Sequence, residues 1–172
     1  MTSIDDNLAT LGITPVGSKA FEPFSLREVA KIEEMIGVQL PETYKWFVMK
    51  YGKSMFSTGA DSTPSQKPVN YCCFFGFEEL LTAIDCLKET LPETTIPIGD
   101  DSGDIVLCLG IGRRDMGKVY IHNSGWGWHV DAERYVEQGK PVPADIRYQV
   151  VEEIAPSFEE FIKNMKKDEE AS

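Results

Sequence analysis

The sequence predicts a single α+β domain, with a mainly antiparallel sheet between helices at its N- and C-terminal ends. Three observations carry this reading. Helix-start signatures stand near both ends, at Ser25 and Ser157. Between them, from about residue 95 to 122, apolar residues recur at every second position rather than at three and four. A charged, glycine-closed segment, Arg113–Gly117, joins two of these strand candidates as a hairpin. The 172 residues suit one compact domain, and 42% hydrophobic with 26% charged residues is ordinary for a globular chain.

Residues 1–24 read as an N-terminal arm, because their periodicity is weak and Pro15 to Ser18 breaks it; a short edge element is the most they suggest. The domain then runs over residues 25–166, and residues 167–172 form a frayed tail. Ser25 and Glu28 make a capping box: the Ser25 hydroxyl accepts from the Glu28 amide, and the Glu28 carboxylate reaches back. Behind it Leu26, Val29, Ala30 and Ile36 share a face with Glu33, while Ile32 and Met35 widen the apolar stripe. Gly37 supplies a left-handed stop. Pro41 opens a second helix with Tyr44, Phe47, Val48 and Tyr51 at helical spacing, ended by Gly52. Lys53 to Pro68 is rich in Ser, Thr, Gly and Pro and predicts a long loop.

Tyr71 to Phe75 predicts a short strand. Glu78 to Leu91 predicts a helix limited by Pro92. Thr95 to Ile98 is the next strand, followed by Asp104 to Ile111. Apolar residues at both parities of the latter suggest a central strand covered on both faces. Lys118 to His122 returns beside it, Trp126 to Val130 reads as a further strand, and Asp131 to Gln138 as a short helix. Ser157 and Glu160 repeat the capping box, with Phe158, Phe161, Ile162 and Met165 as the stripe and Lys163, Lys166 and Lys167 near the helix end.

Seventeen basic residues against 28 acidic ones leave a net charge of −11. Such a field repels nucleic acid and anionic membranes and speeds encounter with a basic partner; alternatively, it serves solubility alone. Met1 to Gly12 lacks the basic and apolar regions of a secretory leader, and no apolar run is long enough to span a bilayer. A cytoplasmic protein is expected. The four cysteines agree: Cys72 and Cys73 are adjacent, Cys86 and Cys108 stand alone, and buried reduced thiols are expected. No cofactor is implied, since nucleophile elbows and phosphate-binding glycine loops are missing from the sequence.

Two segments hold residues that could act on a partner. Ile96 to Asp104 places Asp100, Asp101 and Asp104 between two strands. Clustered carboxylates could hold a hard cation, but the calcium-loop spacing is absent, so an acidic turn available to a partner is the better reading. His122 to His129 contains both histidines together with Trp126 and Trp128, which share one face of a strand. These indoles are either core or an interface anchor. A metal-dependent hydrolase built from Asp100, Asp101, Asp104, His122 and His129 is a further possibility, lacking a local third ligand beside the histidines.

Several blocks together resemble the SUKH superfamily. Ile36 to Phe47, with Gly37, Leu40, Pro41 and Trp46, looks like its amino-terminal signature, and Ile96 to Asp104 like its central one. Lys118-Val119-Tyr120 and Ser157 to Ile162 fit a later strand and the closing helix. Where members often carry Asn-Gly-Gly after the second helix, this chain has Gly52-Lys53-Ser54. The resemblance implies a curved sheet and no catalytic residues. It further implies a bacterial immunity protein that blocks a cognate protein toxin, which the charge suggests is basic, or an intracellular adaptor of the kind found among fungal cell-wall synthesis regulators. The expected partner-binding residues are Asp100, Asp101, Asp104, Trp126 and Trp128, with no nucleic acid or membrane partner.

Overall fold

The computed structural model describes residues 3–57, 71–101, 105–123 and 130–166. Seven antiparallel strands follow one another in sequence order across a single open sheet: β1 (Thr14–Pro15), β2 (Ser54–Ser57), β3 (Tyr71–Phe74), β4 (Thr95–Asp100), β5 (Ile105–Gly110), β6 (Val119–Asn123) and β7 (Val151–Ala155). The described helices are α1 (Ile4–Leu11), α2 (Leu26–Ile36), α3 (Glu42–Lys50), α4 (Phe77–Leu87), α5 (Val130–Glu137), α6 (Ala144–Gln149) and α7 (Phe158–Asn164). The α+β architecture therefore matches the expectation from sequence.

The capping chemistry acts where it was anticipated. Ser25 Oγ accepts from the Glu28 amide at 3.2 Å, and Glu28 Oε2 accepts from the Ser25 amide at 2.7 Å. Ser157 Oγ accepts from the Glu160 amide at 3.1 Å. The stripe of α2 is rotated from the expected one: Val29 and Ile32 are buried, whereas Leu26 is 72% exposed. Glu33, the polar interruption, has a structural task, because its carboxylate accepts from the Leu40 amide at 3.0 Å and from Lys45 Nζ at 2.8 Å. That pair ties the α2–α3 corner.

Several elements depart from the sequence reading. Residues 1–24 hold the short edge element expected, β1, but Ile4–Leu11 form helix α1 as well. Ser3 and Asp6 make a capping box, with the Ser3 hydroxyl accepting from the Asp6 amide at 3.2 Å and Asp6 Oδ2 accepting from the Ser3 amide at 3.1 Å. Leu8 and Leu11 then enter the core. A helix of eight residues offers too few turns for periodicity to stand out. Ser54–Ser57, expected in a loop, is strand β2, held by pairing on both sides. Helix α4 ends at Leu87, before the expected Leu91, and Leu91 instead packs beneath the sheet. Val130 begins α5 where a strand end was expected. Helix α6 and strand β7 gave no clear pattern. Of the cysteines, Cys72 and Cys108 are buried, but Cys73 is half-buried and Cys86 is exposed.

The sheet has two unlike faces. Ile105, Leu107 and Leu109 of β5 and Val119 and Ile121 of β6 join side chains from α1, α2, α3 and α7 in the main core. Phe47 sits among aromatic rings there, 4.6 Å from Phe74 and 5.2 Å from Phe158 between centroids. The opposite parity, Cys108 and Tyr120, meets Leu91, with Leu87, Val106 and Val151 around them. Gly52 and Gly99 are among the glycines required by close approach. A Cβ at Gly52 would lie 1.8 Å from the Glu22 carbonyl oxygen, and its φ is +56°. A Cβ at Gly99 would lie 2.4 Å from the Cys73 carbonyl oxygen, so this residue lets β3 lie against β4.

Candidate functional site

The antiparallel order brings one set of strand ends together. Register pairs Ser57 with Tyr71, Cys73 with Asp100, Asp100 with Val106, and Ile105 with Asn123. Ser57, Tyr71, Asp101, Ile105 and Asn123 thus share one end of the sheet, and segments 58–70, 102–104 and 124–129 are attached to it. Asp104, Trp126, Trp128 and His129 fall within those segments and lie outside the described residues.

Asp100 is the last residue of β4 rather than part of a free turn. Asp101 makes the turn itself: its amide donates to the Ile105 carbonyl at 3.1 Å, and its Oδ1 accepts from the Ile105 amide at 3.1 Å. An aspartate there satisfies a backbone donor that the hairpin would otherwise leave unpaired. Both carboxylates are half-buried.

Pairing also defines a cross-strand row: Met55, Cys73, Asp100, Val106, His122 and Val151. Asp100 and His122 flank Val106 on alternate strands, about 10 Å apart at the backbone. A shared metal would demand that both reach past a valine to within ~2–2.5 Å of one point. Among the described residues, no group of three or more His, Cys, Asp or Glu side chains could hold a metal ion. Burial holds the His122 imidazole below its ordinary pKa, and its Nδ1 is enclosed with no hydrogen-bond partner among the described residues. Burial, with the Asp100 charge beside it, pushes the Cys73 thiol up, so it stays protonated at neutral pH.

Tyr71, 44% exposed, stands at the rim of this sheet end. Sequence reasoning passed over this residue because it opened an apolar run that read only as a strand. A tyrosine at the exposed end of such a run is the signal that was available.

Fold and site together define an α+β domain whose antiparallel sheet gathers Tyr71, Asp100 and Asp101 toward one end. The model of the SMI1 / KNR4 family (SUKH-1) matches residues 23–164, and the chain belongs to that family. No curated protein matches the chain significantly. Among the described residues, no helix is long and apolar enough to cross a membrane.

Proposed function

We propose that this protein is a non-enzymatic, cytoplasmic immunity protein that neutralises a cognate protein toxin by stoichiometric binding. Membership of the SUKH-1 family over residues 23–164 carries the reading. The charge of −11 supports a basic toxin, for which long-range attraction speeds encounter. The partner surface is the sheet end bearing Asp100 and Asp101, together with Asp104, Trp126 and Trp128. Neutralisation by this route needs no chemistry in the inhibitor. It needs an interface of standard size, about 800 Å² per partner, laid over the toxin's active groove.

The test is co-expression with a candidate toxin gene found in the genomic neighbourhood. A 1:1 complex on size-exclusion chromatography and restored growth are expected. No complex and no protection would overturn the proposal, and recovery of cell-wall or signalling proteins instead would favour the adaptor role. Asp101→Asn sharpens the surface assignment. Asparagine keeps the Oδ1 that accepts from Ile105 and removes only the charge. Association with the toxin should slow at low salt, and the difference should fade as salt screens it.

A further inference from the structure

In a chain with an excess of acids, most of the described lysines pair with one, as Lys45 does with Glu33, Lys118 with Glu153 and Lys163 with Glu159. Arg134 and Lys140 differ. Neither side chain has an ion-pair or hydrogen-bond partner among the described residues. Yet the two share one cavity of about 360 Å³, lined by Arg134, Tyr135, Gln138, Lys140 and Ile146.

The local chain explains how they gather. Arg134 and Gln138 stand one helical turn apart, with the Gln138 amide donating to the Arg134 carbonyl at 3.3 Å. Gly139, at φ +64°, then reverses the chain, and the Lys140 amide donates back to the Tyr135 carbonyl at 2.9 Å. Arg147 Nε donates to the Val142 carbonyl at 2.9 Å, which fixes the start of α6 and with it the Ile146 wall. The bland account is that two cations near the end of α5 offset its dipole. A helix C-terminus carries about half a negative charge, so two full cations overshoot it. Glu137 and Asp145, acids close by in sequence, are exposed and outside the lining. Among the described residues, the lining therefore holds four side chains with polar hydrogens and no carboxylate.

We propose that this cavity binds a small phosphate monoester, with the phosphate between Arg134 and Lys140 and the organic body against Tyr135 and Ile146. Phosphate suits the donors better than a carboxylate does. Its three terminal oxygens point in different directions, and donors reach the cavity both from α5 and from the segment that returns past Gly139. The tyrosine and isoleucine wall calls for more than a bare ion. A net charge of −11 does not prevent binding, because charges more than about 8 Å away are largely screened at physiological ionic strength and the two cations act at contact. None of these residues belongs to the surface assigned to the toxin, so this inference and that reading can fail separately.

The test is a titration of the ¹⁵N-labelled full-length protein with phenyl phosphate, up to about 10 mM, followed by NMR. The amides of Tyr135, Gln138, Lys140 and Ile146 should shift saturably. Inorganic phosphate should bind at least about threefold more weakly, since it leaves the apolar wall uncovered. Phenol should not saturate the same amides. Arg134→Gln and Lys140→Gln should each weaken phenyl phosphate about fivefold or more. Both should fold as wild type, because neither side chain is tied to the rest of the described structure. A control of equal charge in the β5–β6 turn, Arg113→Gln, should change the affinity less than about twofold. Absence of saturable shifts would overturn the proposal, and so would equal weakening by Arg113→Gln. Phenol or inorganic phosphate binding as tightly as phenyl phosphate would overturn it too, since the cavity would then recognise only one half of the ligand.

Discussion

The two faces of the sheet are held by different forces. On the helix-covered face, Phe47, Phe74 and Phe158 interlock with Tyr44 and aliphatic side chains, and association there is non-directional burial of apolar area. Among the described residues, the other face has a smaller apolar cluster, Leu91, Cys108 and Tyr120. Its cover is fastened by directed polar contacts instead. Arg147 of α6, 6% exposed, donates from Nε to the Val142 carbonyl at 2.9 Å and from Nη1 to the Lys88 and Leu91 carbonyls at 3.2 and 3.4 Å. Beside it Asp115 accepts from Thr94 at 2.8 Å, Tyr148 at 3.1 Å and Tyr120 at 3.3 Å. The difference teaches that burial alone can secure a large face, whereas a small one gains its fixed geometry from hydrogen bonds that must all be present.

The largest effect should come from breaking the apolar face. Phe158→Ala empties a site ringed by Tyr44, Phe47, Phe74 and Phe161 and should cost about 3–5 kcal/mol in urea unfolding. A loss under ~1 kcal/mol would contradict the packing described. On the other face, Arg147→Met keeps volume but strips the donors from three carbonyls, at a cost of about 2–3 kcal/mol. Arg147→Lys should recover less than half, because an ammonium lacks the planar fork. Hydrogen exchange should quicken first around Leu91 and α6, leaving the Phe47 region protected.

Asp115→Asn should be milder, at about 1 kcal/mol, since an amide still accepts one or two of these bonds. It carries a spectroscopic signature as well. Burial, and then the Asp115 charge, holds the Tyr120 hydroxyl well above the ordinary tyrosine range. Removing that charge lowers the energy of the tyrosinate at Tyr120 and at Tyr148, which also donates to Asp115, so ultraviolet titration should show both ionising at lower pH than before. No change in the tyrosine titration would place Asp115 out of reach of Tyr120.

The smallest effect belongs to the α2–α3 corner on the apolar side. Burial pushes the Glu33 carboxyl up, but the hydrogen bonds from Lys45 and the Leu40 amide outweigh it and hold the group below its ordinary value of 4.5. A depressed carboxyl stabilises the fold above that value and loses the contribution as pH falls through its folded-state pKa. Glu33→Gln should therefore cost up to about 1 kcal/mol near neutrality. The gap from wild type should close in acid, below pH 4.5. A gap that widened in acid would reverse the assigned sign.

The strength of each local signal tracks what was legible beforehand. The capping box at Ser25, the Ser157 N-cap and the alternation along Ile105–Gly110 are short-range features with their causes inside the segment; the first and last appear as expected, and at Ser157 the hydroxyl caps the Glu160 amide. The Ser3–Asp6 box was equally local, but aspartate in place of glutamate and a helix of eight residues made it faint. Strand β2 is four residues of Ser-Met-Phe-Ser, which becomes a strand because β1 and β3 offer hydrogen-bonding edges on either side. Of the proposed partner residues, Asp101 could be read as a turn former, but not as the acceptor for the Ile105 amide. Tyr71 went unnoticed because exposure depends on what lies across from a residue.

Composition and pattern by themselves determined the class of fold, most helix starts, the hairpin at Arg113–Gly117 and the acidic character, because those follow from forces acting within about one or two helical turns or one strand. Only the tertiary structure decided that seven strands run in simple order, that Gly99 is a glycine because β3 passes close to it, and that Arg147 clamps a distant helix end. It also decided that Asp5, Glu42 and Glu159, far apart in sequence, line one groove with Trp46. The physical reason is the same in each case: these features are contacts between segments dozens of residues apart, and a residue's local neighbours carry no record of which distant backbone will come to lie against it.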